Sequence, residues 1–277
     1  MPRVLIALLL LLAPAPALAQ AAQCRIPGRI EQPKAEGPTA KEPKRLLPIG
    51  GYTLALSWTP QYCSTARDRG SFQCGGRGGK FGFTLHGLWP DGQGKDWPQY
   101  CRKADILPDA VIRANLCATP SPQLIQHEWA KHGTCMTTKP DLYFNLSRAF
   151  YQLIRYPDMA ALARNRKLTV GQFADAFARA NKGLKADMIR VTTVRGNWLS
   201  EIWLCMDRAM EFTRCPSHQG GAPTISYLRI EPGPIIANPR LPSARPPAKA
   251  GARPARRPEL ILDLDPKVQP LTNGTGG

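Results

Sequence analysis

Histidine is scarce in this chain, with four among 277 residues, and acidic side chains number 20 against 37 lysines and arginines. No Cys-x-x-Cys spacing occurs, which weakens zinc-ribbon and dithiol redox readings alike. No internal repeat is visible, so solenoid and propeller architectures are set aside. The apolar run Val4 to Leu12 is far too short to span a bilayer, and nothing later in the chain is apolar for long enough. The shortage of acids leaves a net charge of +17, which makes a polyanion the natural partner. Many exported proteins are basic, however, so charge supports that partner without establishing it.

What is present is concentrated. Three of the four histidines fall in two short segments, Phe83-Thr-Leu-His-Gly-Leu-Trp-Pro-Asp91 and His127-Glu-Trp-Ala-Lys-His-Gly-Thr-Cys135. Two imidazoles from separate segments, beside a carboxylate and an ammonium, can move a proton from one oxygen to another while negative charge builds on a phosphoryl group. At about 100° per residue, Glu128 and His132 lie roughly 40° apart on a helix surface, as do His127 and Lys131. One helical face then presents all four groups. The zinc-protease motif His-Glu-x-x-His differs: here three residues separate Glu128 from His132, and His127 and His132 diverge by roughly 140°, a poor fit to one tetrahedral metal. Trp129 falls on the opposite side of the helix and is read as core. His218, in the loop Pro216-Ser-His-Gln-Gly-Gly, is read as an ordinary loop histidine.

The two segments resemble, without a gap, the two active-site signatures of the ribonuclease T2 family. Tyr52 to Trp58 is similar to that family's first core strand, and Glu201 to Pro216 to its late strand and disulfide-closed loop. The resemblance covers residues about 50 to 232. It implies that His132 takes the proton from a ribose 2'-hydroxyl and that His86 protonates the departing 5'-oxygen. It further implies that Glu128 and Lys131 stabilise the phosphorane, that His127 binds phosphate, and that Trp89 and Asp91 hold a base, with Trp97 or Tyr100 completing the clamp. An anionic Glu128 would repel phosphate, so it acts either protonated or as an orienting group for His132; the sequence leaves both open. No metal or cofactor is needed, because side chains supply the proton traffic and the charge stabilisation. The implied substrate is single-stranded RNA, cut through a 2',3'-cyclic phosphate to a 3'-phosphate end with low base specificity. DNA lacks the attacking hydroxyl and should be inert.

Arg3, the apolar run and Ala17-Leu-Ala19 mark residues 1–19 as a signal peptide, placing the mature protein in a periplasm or outside the cell. Eight cysteines in an exported chain argue for disulfides, although eight thiols allow 105 pairings. The family pattern implies Cys101 with Cys135 and Cys205 with Cys215, which leaves Cys63 with Cys74 and Cys24 with Cys117.

Residues 20–49 read as a proline-rich arm, 50–237 as the catalytic domain and 238–277 as a largely disordered tail, whose stretch 240–257 carries six cations and no acid. Glu259 to Asp265 alternates apolar and acidic residues, fitting an added strand or a docking peptide. Strands are predicted at Tyr52–Thr59, Phe81–Leu85, Met188–Val194, Leu199–Asp207 and Thr224–Ile230. Helices are predicted at Pro122–His132, Asp141–Tyr156 and Val170–Ala180, the second packing through Leu142, Leu146, Ala149, Phe150 and Leu153. Helices in the middle and strands at both ends indicate an α+β fold, a mostly antiparallel central sheet packed against several helices. A monomer is the default expectation. Two other classes compete with an exported ribonuclease: a catalytically idle RNA-binding protein, against which the intact polar set speaks, and a metallohydrolase, disfavoured by the helix geometry.

Overall fold

The computed structural model describes residues 21–67 and 69–234. The expected signal peptide, the expected tail and its segment 259–265 lie outside the described residues. Two sheets are present among them. A two-stranded ribbon pairs β1 (Ala21–Cys24) with β3 (Gly79–Phe81). The main antiparallel sheet, in the order β4-β2-β6-β5, contains β2 (Gly51–Trp58), β4 (Phe83–Asp91), β5 (Ile189–Val194) and β6 (Trp198–Met206). Helices α1 (Thr59–Thr65), α2 (Asp109–Asn115), α3 (Pro122–Glu128), α4 (Thr134–Met136), α5 (Pro140–Leu153), α6 (Met159–Arg164) and α7 (Val170–Ala180) fill most of the middle of the chain. The expected α+β class is what the backbone shows.

Directly paired residues of antiparallel strands share a face, so the register divides the sheet into two chemically distinct sides. Leu54 pairs with Leu88 and Leu204, and Leu56 with Leu85 and Ile202; all are buried, and they form the apolar side. Burying each such side chain contributes about 1.5–3 kcal/mol. Phe83 stacks on Tyr156 at 5.0 Å and meets Trp58 at 4.8 Å and Phe177 at 6.2 Å, joining the sheet to α7. The opposite side carries Thr53 against Trp89 and Cys205, Ala55 against Gly87 and Trp203, and Ser57 against Glu201. Polar and aromatic groups from three strands therefore stand side by side.

Local signals account for the helix boundaries. The Ser121 hydroxyl accepts from the Leu124 N–H at the start of α3, with Pro122 in the first turn, and Thr169 with Gln172 closes a capping box on α7. In α5 the fully buried residues are Tyr143, Phe144, Ser147 and Tyr151; of the expected stripe, Leu146 and Phe150 pack partly buried against the core, whereas Leu153 is 73% exposed. The two tyrosines are drawn inward because their hydroxyls donate to the Leu88 and Phe83 carbonyls of β4 at 3.1 and 2.8 Å.

Three other expectations need correction. The strand predicted at Phe81–Leu85 is split between β3 and β4, and β4 runs on to Asp91. Residues 224–230 form no strand: Tyr227 and Arg229 make isolated bridges to Thr169 and Trp198, with Ile225 87% and Tyr227 62% exposed. Their backbone partners come from separate segments, so no ladder can propagate. The helix predicted over Pro122–His132 is α-helical only to Glu128 and continues as a π-helical turn, Trp129–Gly133, in which the Thr134 N–H reaches the Trp129 carbonyl. Competing donors hold the widened turn, since the Tyr100 N–H takes the Lys131 carbonyl at 2.8 Å and the Thr134 hydroxyl takes that of Ala130 at 2.9 Å. Such turns are frequent at functional sites.

All four expected disulfides are formed: Cys24–Cys117, Cys63–Cys74, Cys101–Cys135 and Cys205–Cys215. The third ties the loop after β4 to the end of the π turn. No helix among the described residues is long and apolar enough to cross a membrane.

Candidate active site

A cleft of ≈ 450 Å³ opens on the polar side of the sheet, between β4 and the π turn. His86, His127, Glu128, Lys131 and His132 all line it. The β4 strand delivers His86 by a local irregularity: Ala55 pairs with Gly87 and Leu56 with Leu85, so His86 is the extra residue of a β-bulge. The bulge brings His86 to the face that carries Trp89 and Asp91, which strict alternation would deny it. Gly87 is required beside it, because a Cβ there would collide with the Glu128 carboxylate and the Trp89 indole nitrogen.

Trp89 stands between the two histidines. Its ring centroid is 5.0 Å from that of His86, edge-on, and 5.5 Å from that of His132, stacked. Its indole N–H donates to Glu128 Oε2 at 2.8 Å. Glu128 Oε1 lies 3.5 Å from His86 Nε2. The carboxyl group thus addresses His86 and Trp89, and neither of its oxygens bonds to His132, contrary to one of the two roles the sequence left open.

The environments of the two imidazoles differ in sign. Burial alone would lower the pKa of His86, but the hydrogen bond to Glu201 and the charges of Glu128 and Glu201 outweigh it and raise the value above that of free imidazole. His132 is buried without a carboxylate partner, and burial, with Lys131, His127 and His86 adding like charge, holds its pKa well below the usual histidine value. Its Nδ1 has no hydrogen-bond partner among the described residues. The two rings are therefore displaced in opposite directions, His86 toward its charged form and His132 toward its neutral form. Glu128 is also displaced: burial raises it to about 7, against the pull of His86, Trp89 and Lys131.

Glu201, which the sequence reading did not single out, anchors this arrangement from β6. Its Oε1 accepts from Ser57 and pairs with His86 Nδ1, each at 2.6 Å, and its Oε2 accepts from the Trp203 indole at 2.9 Å. Although burial opposes ionisation, these donors bring its pKa down to about 2. A lone acid in an apolar-alternating strand gives little sequence signal; its function follows from the β2–β6 register. His127 has Glu36 Oε2 at 3.7 Å from Nδ1, and its pKa is lowered by burial first and by Lys131 second.

Toward the far end of the cleft, Asp91 accepts from the Thr53 hydroxyl at 2.6 Å, and burial raises its pKa. Trp97 lies on the same wall, with the Arg45 guanidinium 4.5 Å above its ring. His218, read as a bland loop residue, also lines the cleft with Gln219, which donates to the Thr53 hydroxyl. Tyr100 is placed elsewhere. It is 3% exposed, adopts φ 51°, and points its hydroxyl at Glu42, 3.3 Å away, so it offers no open face to a base. Trp129 is buried against Tyr143, as expected.

Fold and cleft together set two imidazoles, with pKa values displaced in opposite directions, into one cleft of an α+β scaffold. The profile of the Ribonuclease T2 family matches residues 49–215, and the chain belongs to that family. A probable ribonuclease of Haemophilus influenzae is 28% identical over 184 residues, covering 61% of this chain and 62% of that protein. A ribonuclease of Aeromonas hydrophila is 41% identical over 87 residues, covering 30% of this chain and 36% of the relative. The chain thus spans less than two thirds of the length of either protein. In fold it is similar to RNase NT, solved in complex with 5'-AMP, with a TM-score of 0.52 at 21% identity, covering 67% of this chain and 99% of that one.

Proposed function

We propose that this chain is an exported, metal-independent endoribonuclease that cuts single-stranded RNA by attack of the ribose 2'-hydroxyl on the adjacent phosphorus. The observation that carries this reading is the pair of imidazoles on one cleft with oppositely displaced pKa values. His132, neutral, takes the 2'-proton; His86, charged, delivers a proton to the departing 5'-oxygen. The product is a 2',3'-cyclic phosphate, which water opens to a 3'-phosphate with the two roles exchanged.

Lys131 offsets the charge of the phosphorane and His127 binds a phosphoryl oxygen. Glu128, with a pKa of about 7, can be neutral when substrate binds and then donates a hydrogen bond to phosphate instead of repelling it. The same anionic phosphate counteracts the cations that depress His132, improving it as a base. Trp89 and Trp97 offer aromatic faces on which any base can stack, and Asp91 an acceptor for a base amino group, consistent with low base specificity. All eight cysteines are paired, as in proteins that leave the reducing cytosol.

The test is incubation of the purified protein with RNA and with single-stranded DNA in excess EDTA. RNA should be cut to cyclic-phosphate ends at an unchanged rate, and DNA left intact. DNA cleavage, or loss of RNA cleavage in chelator, overturns the proposal.

A further inference from the structure

We infer that Glu42, on the arm that precedes the family-matched span, is a positioning residue for the Lys131 ammonium, so that the arm completes the active site. The inference rests on the reading of Lys131 as the group that meets the phosphoryl charge. Lys131 Nζ lies 2.6 Å from Glu42 Oε1, and the lysine side chain is only 12% exposed. The other carboxylate oxygen, Oε2, accepts from the Tyr100 hydroxyl at 3.3 Å. Tyr100 also donates its backbone N–H to the Lys131 carbonyl at 2.8 Å. Main chain and side chain of one lysine are thus held by the same two neighbours. The Lys131 hydrogen bond keeps the Glu42 carboxyl below the usual value, so it faces the ammonium as a carboxylate at neutral pH.

The arm is fastened on both sides of this contact. Arg45 and Gln99 exchange backbone hydrogen bonds at 3.0 Å each, Gln99 Nε2 donates to the Pro43 carbonyl at 2.7 Å, and Arg45 pairs with Asp96 at 2.8 Å. Upstream, Cys24–Cys117 and the Arg113 guanidinium on the Pro27 and Gly28 carbonyls hold the other end. A second acid of the arm, Glu36, faces His127 and is itself held by Gln123 Nε2 at 2.8 Å. Two carboxylates of one segment are therefore set against two phosphate-directed groups of the cleft.

A lysine stem has four rotatable bonds, and an ammonium acts on a transition state only if it is already where the charge develops. An unpinned Lys131 still attracts the polyanion but meets the phosphorane less often. Glu42→Gln should therefore lower kcat by about tenfold or more while KM stays the same or falls. Combined with Lys131→Met, Glu42→Gln should add no further loss, because its effect passes through the lysine. Glu42→Asp should retain more activity than Glu42→Gln. A merely structural salt bridge would move the melting temperature and leave the kcat-to-KM split untouched.

The experiment is steady-state cleavage of a defined RNA by wild type and these variants, with circular dichroism to confirm folding. Wild-type kcat in Glu42→Gln, or additive losses in the double variant, overturns the inference. Should Glu42→Gln fail to fold, Tyr100→Phe, which removes a single hydroxyl from the carboxylate, decides: a severalfold drop in kcat supports positioning and an unchanged kcat refutes it. A wild type that does not cut RNA defeats the proposed function itself, a separate result from a wild type that cuts no faster than Glu42→Gln.

Discussion

His86 Nδ1 and Glu201 Oε1 lie 2.6 Å apart across 115 residues of sequence, and this contact fixes which nitrogen of His86 is left to face the cleft. With Nδ1 committed to a carboxylate, Nε2 is the atom free to exchange a proton with substrate. The contact also sets the charge. His86 is raised above its unfolded value, so its share of stability is present below that unfolded value and is lost as pH rises through the folded one. Glu201, lowered to about 2, contributes above its unfolded value near 4.5 and loses that contribution as pH falls toward 2.

Glu201→Gln should consequently bring the alkaline limb of the pH–rate profile to lower pH, since the neutral amide no longer favours the imidazolium. The acid limb, set by a different ring, should move little. Initial rates of RNA cleavage across the pH range check this, and an unmoved alkaline limb would show that Glu201 does not tune the acid.

Glu128→Gln should separate stability from activity. Glu128 is 2% exposed and its pKa is raised from 4.5 to about 7, so the fold loses stability as pH rises from about 4.5 to about 7, and the whole cost is present above 7. At about 1.36 kcal/mol per unit, the cost approaches about 3 kcal/mol. The difference in melting temperature between variant and wild type should grow in the variant's favour from about pH 4.5 to about pH 7 and level off above it, while cleavage falls roughly tenfold or more. A difference constant with pH would mean that Glu128 is not strained when charged.

Gly87→Ala should reduce both stability, by about 1–3 kcal/mol, and turnover, because the added methyl displaces the Glu128 carboxylate and the Trp89 indole. Gly28→Ala, where an added Cβ meets nothing within 4 Å, is the control and should match wild type. Thermal melts and single-turnover rates read both effects.

The sequence made one half of this site plain and hid the other. His86, His127, Glu128, Lys131 and His132 sit in two compact runs whose composition speaks for itself, and all five line the cleft. Glu201 was hidden because its role depends on β6 pairing with β2 in one particular register, a long-range fact. The π turn was missed because helical angles were counted at a fixed step, and what widens the turn is a donor, the Tyr100 N–H, from another segment. Tyr100 itself was placed in the base clamp by its neighbours in sequence, whereas φ 51° turns it inward to Glu42. The arm was legible only as proline-rich composition, and which of its acids touch the cleft could be learned only from tertiary structure. Residues 224–230 show the reverse error: β-branched and aromatic residues suggested a strand where no neighbour offers a ladder.

The division of labour between His132 and His86 is tested most directly by replacing the 5'-bridging oxygen of one RNA linkage with sulfur. A thiolate leaves without being protonated, because a thiol is far more acidic than an alcohol. His86→Ala should lose roughly a hundredfold or more on ordinary RNA and recover most of that on the sulfur substrate. His132→Ala should be impaired on both, since the 2'-hydroxyl still needs a base. Rescue of His132→Ala instead, or no rescue of His86→Ala, would contradict the account.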